Sequence, residues 1–276
     1  MPDLDATLGV RALRPVIEGL RALGHDPAPI LRAAALDAAP LGDPDARIPA
    51  RAVGQLWAIA LEVTADPDLG LHLAEKADVA AFDLHAYALL SSPTLGVGFD
   101  RMAAYQRLIN DSNRILIARH GPHAEIRHVR PGGLAVGRQP AEFLLAAWTR
   151  FARLATAAEI IPVEVRFAHA MPDNTTEHAR IFRSPLRFAA GENAVVLSAD
   201  VLEMPCARAD PGLAAVLDRH ALDRLERVPK SAAFADRARA ALAEELQRGD
   251  ASATRLAARL RMSVRSLSRA LAAEGT

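Results

Sequence analysis

Arg114-Ile-Leu-Ile-Ala-Arg-His-Gly-Pro-His-Ala-Glu-Ile-Arg-His-Val-Arg130 is the stretch on which the reading of the fold turns. Before it, apolar residues recur at helical spacing between proline and Asp-Pro breaks. Within it the period shortens. Arg114–His120 and Ala124–Arg130 each read as a strand, although Ile126 and Val129 do not alternate strictly. Gly121-Pro122-His123 supplies the turn between them, and Pro131-Gly132-Gly133 closes the hairpin. A chain otherwise helical therefore acquires a sheet.

Working back from the hairpin, residues 95–110 form a long helix with Phe99, Met102 and Leu108 on it, and Thr94 is its N-cap. Phe82–Leu90 is apolar with His85 and Tyr87 inside. Ala50–Leu61 places Val53, Leu56, Trp57 and Ala60 on one face, with Ile48-Pro49 opening it and Asp66-Pro67-Asp68 following it. Residues 41–47 are polar and turn-rich. Val10–Leu23 reads as one helix stopped by Gly24, and Ala28–Ala35 as a second, short one. Working forward, Pro140–Ala158 is helical, Val163–Ala168 and Ala194–Ala199 are strands, and Glu177–Phe182 is a short helix. From Pro211 onward everything is helical, over 212–227, 231–248, 253–260 and 264–273. The fold class is α+β, mainly α: helices plus a small sheet, then an all-α segment. Ala, Leu and Arg dominate, which favours helix, while aromatic residues are only 4% of the chain.

Charge divides the chain. Residues 230–276 hold nine basic and five acidic residues, a net of +4, so residues 1–229 carry −4 of a formal charge of zero. A basic end on a neutral body fits a nucleic-acid-binding tail, and fits a solvated helix pair equally. Cys206 is the only cysteine, which excludes an internal disulfide and argues against a thiolate zinc site. The N-terminus lacks the pattern of a secretory signal, and no apolar run approaches the roughly 18 residues that span a bilayer. These features give the expectation of a cytoplasmic protein with no membrane contact.

At the C-terminal end, Ala253-Thr-Arg-Leu-Ala-Ala-Arg-Leu260, a turn at Arg261-Met262-Ser263 and Val264-Arg-Ser-Leu-Ser-Arg-Ala-Leu271 make two short helices at helix-turn-helix spacing. Leu256, Ala257 and Leu260 are expected to pack against Val264, Leu267 and Leu271. Ser263 is placed to cap the second helix. Arg265, Ser268 and Arg269 are then left on its outer face, where arginine can pair with guanine or hold phosphate. The same pattern also fits a surface helical hairpin.

The string from Leu256 to Thr276 resembles the first helix-turn-helix of AraC/XylS-type regulators: an apolar-rich helix, Gly-Met-Ser, then Arg-Thr-Leu-x-Arg-x-Leu followed by Glu-Gly. Arg261 stands where that pattern has glycine, Ser266 where it has threonine, and Ser268 where it has a longer polar residue. Phe182-Arg-Ser-Pro-Leu-Arg-Phe188, Asn193, Leu202-x-Met-Pro205 and Ala209-Asp-Pro211 resemble the end of the arabinose-binding-like effector domain of one branch. Gly24-His-Asp-Pro27, Arg47-Ile-Pro49, Leu56-Trp57, Asp66-Pro-Asp-Leu-Gly70 and Ser92-Pro-Thr-Leu95 resemble its earlier part. Ornithine-utilisation regulators belong to that branch.

The resemblance implies an effector-binding domain at 1–229, a DNA-binding segment at 230–276, a small-molecule effector, promoter DNA as partner and a homodimer. Such regulators carry two helix-turn-helix units, and this chain holds the first. The resulting expectation is that DNA binding by this chain is weak or lost, because affinity depends steeply on the number of phosphate contacts. His85, Tyr87, Tyr105, Trp148 and His169 are the effector-pocket candidates, as polar or aromatic residues within apolar runs; each also fits a satisfied core position. His120, His123 and His128 cluster near the hairpin, but their spacing matches no standard zinc pattern, so no metal is expected there. With no Gly-x-Ser-x-Gly, phosphate-binding glycine loop or His-Glu-x-x-His, neither a cofactor nor an enzyme is expected. Two alternatives stand beside the regulator: a stand-alone effector-binding or dominant-negative module that dimerises without binding DNA, and an α+β small-molecule enzyme.

Overall fold

In a computed structural model the chain is described at residues 7–36, 43, 45–110, 113–130, 136–227, 238, 241–242, 245–246 and 252–273. The turn at 131–133, most of the expected helix at 231–248 and the boundary at 229–230 lie outside these residues.

The expected hairpin is present. Strand β3 (Arg114–His120) pairs antiparallel with β4 (His123–Val129), and Gly121 takes a positive φ of 56° in the turn. β4 pairs with β7 (Asn193–Ser198), β7 with β5 (Glu164–Arg166), and β5 runs parallel to β6 (Leu186–Arg187). The five-stranded sheet thus has the order β3-β4-β7-β5-β6. β7 is buried at nearly every position, as a central strand covered on both faces should be.

Helix α7 (Arg138–Thr156) crosses this sheet and begins at Arg138 rather than Pro140. Pro140 falls in the first turn, where a missing N–H leaves no helical bond unmade. Leu145, Trp148, Phe151, Ala152 and Ala155 of α7 meet Ile126, Val165, Phe167 and Val195 of the sheet, and Phe99 and Met102 of α6 (Leu95–Ile109) close the same core. Thr94 caps α6 as expected, its hydroxyl accepting from the Val97 N–H.

A second core lies among α1 (Arg14–Ala22), α2 (Pro27–Ala33), α3 (Ala50–Thr64) and α4 (Leu69–Lys76), around Leu20, Ile30, Leu56, Trp57 and Leu73. Two expectations need correction here. The segment from Val10 is not one helix: a 3-10 turn at Val10–Leu13 precedes α1, because Pro15 fits only an N-terminal turn. Residues 47–49 do not merely open a helix. They form strand β2 (Arg47–Pro49), paired antiparallel with β1 (Thr7–Gly9) and tied by Arg47 Nε to the Thr7 hydroxyl at 2.7 Å.

Helix α5 (Asp83–Leu90) and α6 present Leu84, Ala88, Tyr105 and Leu108 to Ala221 of α10 (Pro211–Arg227). The short helices α8 (Thr176–Phe182) and α9 (Ala199–Glu203) flank the sheet. Helices α11 (Ala253–Arg259) and α12 (Val264–Ala273) make a separate small core. Among the described residues, no helix is long and apolar enough to cross a membrane.

Candidate functional site

Two places concentrate chemistry: the outer face of α12 and a buried polar centre beneath the N-terminus of α7.

Helix α11 starts at Ser252, whose hydroxyl accepts from the Arg255 N–H, and ends in a turn closed by two backbone bonds. The Arg261 N–H donates to Ala258 O at 3.0 Å and the Met262 N–H to Ala257 O at 2.8 Å, with Arg261 at φ 56°. This is a Schellman turn with arginine in the left-handed position that usually takes glycine. Ser263 then caps α12, its Oγ accepting from the Ser266 N–H at 3.1 Å. Leu256, Ala257, Leu267 and Ala270 are buried between the helices, with Leu260 and Leu271 against them. Val264 was expected in this seam and is 40% exposed. It is the first residue of α12, and a first-turn side chain leans back over the turn rather than into the groove. Arg265, Ser268 and Arg269 are exposed.

The buried centre is built from separate elements. Asp68 ends the Asp-Pro-Asp turn before α4, its N–H donating to Asp66 Oδ1 at 3.0 Å. Gln139 ties that turn to α7, donating to Pro67 O at 2.8 Å and accepting from the Gly70 N–H at 2.6 Å. One turn along α7, Glu142 is 0% exposed. Its Oε1 accepts from Arg138 Nε at 2.7 Å and lies 2.6 Å from Nε2 of His178, which is also 0% exposed. Arg138 Nη2 reaches Asp68 Oδ1 at 2.6 Å. His169, just after β5, brings Nε2 to 3.5 Å from Glu142 Oε1, and burial pulls its pKa down. Phe167 and Phe188 face both imidazoles and make the surroundings apolar.

A fully buried carboxylate is costly unless its oxygens are satisfied. Here Glu142 Oε2, His178 Nδ1 and His169 Nε2 are buried without a hydrogen-bond partner. One ligand atom each from Asp68, Glu142 and His178 lies within 4.8 Å of the others. The histidine spacing in the hairpin gave no hint of this trio, because its members are distant in sequence. The available signal was Glu142 itself, a charge within the apolar run of α7.

The effector-pocket candidates do not converge. His85 is buried, with burial pushing its pKa down to about 4, and it bonds the Tyr105 backbone. The Tyr105 hydroxyl donates to Asp218. Tyr87 is exposed, and Trp148 is a core residue edge-on to His128. His169 belongs to the polar centre. A groove of about 600 Å³ instead opens between α3 and the start of α7, lined by Trp57, Leu61, Pro67, Arg138 and Gln139 among others. A smaller cavity of about 220 Å³ is bordered by Arg150, Arg153, Arg180 and Arg183. Arg150 and Arg153 there are half-buried and donate to backbone carbonyls, Arg150 to Ala74 and Ala77 at the end of α4 and Arg153 to Ile160 and Ile181.

Comparison with known proteins bears on the buried centre, which lies within a family match that α12 lies beyond. A family model described as the arabinose-binding domain of AraC transcription regulators, N-terminal, matches residues 24–206. The ornithine utilization regulator of Pseudomonas aeruginosa is 28% identical over 172 residues, covering 62% of this chain and 51% of that protein. The chain therefore spans about half the length of this curated relative. The crystal structure of transcriptional regulator CdpR from Pseudomonas aeruginosa superposes with a TM-score of 0.56 at 19% identity, covering 96% of this chain and 80% of that one. That likeness is one of fold.

Proposed function

We infer function from a premise of family: the chain belongs to the AraC transcription regulators that carry an arabinose-binding N-terminal domain. The proposal is that it is a cytoplasmic, effector-controlled transcriptional regulator without catalytic turnover. Residues 1–229 sense a small molecule and residues 230–276, which hold one helix-turn-helix unit, contact promoter DNA only weakly, the protein acting as a homodimer. The observation that carries the reading is the division of α12 into two faces. Leu267 and Ala270 are buried while Arg265, Ser268 and Arg269 stand exposed on a helix capped by Ser263. That arrangement suits entry into the major groove, with the arginines reaching base edges or phosphates.

For the effector, the groove between α3 and α7 has the volume that an organic ligand occupies. The relative's printed name concerns ornithine utilization, so a basic amino acid is the first compound to screen. A ligand favouring one arrangement of the sensor would shift how the DNA-binding segment is presented.

The test is recovery of genomic fragments on the immobilised full chain, followed by fluorescence anisotropy on the recovered fragment. Arg265→Ala and Arg269→Ala should each weaken binding by roughly 10- to 100-fold and flatten its salt dependence. Variants that bind as tightly as the parent would remove the DNA-reading role from α12. Recovery of no fragment above a random-sequence control would favour the second reading, a module that dimerises without binding DNA, since a single helix-turn-helix unit makes few phosphate contacts.

A further inference from the structure

We propose that Asp68, Glu142 and His178 form a binding site for one divalent transition-metal ion, with His169 as a fourth ligand and zinc as the first candidate. The donor atoms of the trio lie within 4.8 Å of one another, a span one ion covers and an organic molecule does not. Two carboxylates and two imidazoles are an oxygen–nitrogen donor set suited to zinc, and to manganese or iron less specifically.

The distances agree in part with a tetrahedral site. Ligand atoms around zinc stand roughly 3.3–3.5 Å apart, as follows from metal–ligand distances near 2.0–2.1 Å. Glu142 Oε1 and His169 Nε2 are 3.5 Å apart. Glu142 Oε1 and His178 Nε2, at 2.6 Å, are at hydrogen-bond spacing and must open when an ion enters. Independent of the clustering of ligand types, the orphaned atoms point the same way. Glu142 Oε2 belongs to a fully buried side chain and lacks a partner. His169 Nε2 is likewise buried without a partner, and because its Nδ1 faces Ala170 O at 2.8 Å it turns a lone pair toward Glu142 Oε1. Lone pairs enclosed by Phe167 and Phe188 call for an electron acceptor.

Arg138 is the competing cation. It bridges Asp68 and Glu142 at 2.6 and 2.7 Å, neutralising part of the charge that an ion would meet. Its side chain is 28% exposed and lines the open groove, so the guanidinium has a path outward. Binding thus exchanges a guanidinium for a metal ion between the same carboxylates. The ion would join the turn before α4 to α7 and α8, all in the sensor domain. Ion binding at this centre does not depend on DNA binding.

The test uses the full chain freed of metal by a chelator and titrated with zinc and then cobalt(II). One zinc should bind per chain and raise the thermal midpoint. Bound cobalt should show visible ligand-field bands of four-coordinate intensity. Asp68→Asn and His178→Gln should each weaken zinc at least tenfold, whereas Arg138→Gln should preserve or tighten binding by removing the competitor. X-ray absorption of the zinc-loaded parent should show imidazole ligation, a readout that needs no substitution at a buried position. Three results would each overturn the proposal: no saturable zinc or cobalt binding, zinc without imidazole ligation, or binding untouched by Asp68→Asn and His178→Gln but abolished by His123→Ala on the hairpin.

Discussion

Arg101 on α6 grips Asp218 on α10 with two N–H groups, Nε at 2.8 Å and Nη2 at 2.5 Å, both on Oδ1. The same guanidinium donates to Ala88 O at 2.9 Å, the Ser92 hydroxyl at 3.0 Å and Ala214 O at 2.7 Å, so it joins α5, α6 and α10. The two partners are unequal: the Arg101 side chain is 11% exposed and that of Asp218 is 43%. Arg101→Ala removes every one of these bonds and should destabilise the chain by roughly 2–4 kcal/mol. Asp218→Asn leaves the carbonyl bonds intact and keeps a polar group near solvent, so about 1 kcal/mol is expected. Urea denaturation of both single variants and the double variant would measure the coupling. Equal losses in the two singles would contradict this asymmetry.

Gly70 permits the closest approach of α4 to α7. A Cβ added there would sit 2.2 Å from Gln139 O, a backbone atom that cannot swing aside. Gly70→Ala must therefore push the two helices apart and disturb the Gly70 N–H bond to Gln139, at a cost of about 3 kcal/mol or more. Gly54→Ala is the matched control. It lies in α3 with nothing within 4 Å of the added atom, and alanine there should stabilise by roughly 0.5–1 kcal/mol. Opposite signs in thermal or urea unfolding are the expected outcome.

These relationships mark what the amino-acid order conveys and what it conceals. The β3–β4 hairpin was readable because Gly121 and Pro122 punctuate two β-rich runs, and local turn chemistry sets that register. The two terminal helices were readable because Leu256, Ala257 and Leu267 repeat at helical spacing. Val264 was misplaced because periodicity treats the first turn of a helix like its middle. β1 and β2 escaped notice because each has three residues and their pairing joins Thr7 to Pro49, beyond any local pattern. The polar centre escaped for the same reason. Asp68, Glu142 and His178 share a site only because Gln139 anchors the pre-α4 turn to α7 while α8 packs alongside.

The turn at Arg261 carries a local cost. Its φ of 56° is the left-handed conformation, which costs an L residue with a Cβ roughly 1–2 kcal/mol. The two bonds that close the turn hold it there nonetheless. Arg261→Gly removes the strain but gives the unfolded chain more freedom, so a net gain of about 0.5–1 kcal/mol is expected. Hydrogen exchange at the Arg261 and Met262 amides would read it as slower exchange. Unchanged or faster exchange would show that the arginine side chain contributes contacts that outweigh the backbone strain.

His85 and His128 give the fold a dependence on pH. Burial pushes the pKa of each down to about 4. His85 Nε2 and His128 Nδ1 have no partner that could stabilise an added proton. Both rings are thus held neutral in the folded chain, while in the unfolded chain they protonate near the ordinary value of about 6.5. Below that value the unfolded state binds more protons than the folded one, so stability falls as the pH is lowered from about 6.5 towards 4. The loss should reach roughly 2 kcal/mol per histidine by about pH 5. Urea midpoints recorded from pH 7 to pH 5 would show the decline, and His128→Leu should flatten it in part, leaving the share of His85 and of His169, whose pKa burial also lowers. A decline of the same steepness in His128→Leu would assign the effect to other groups.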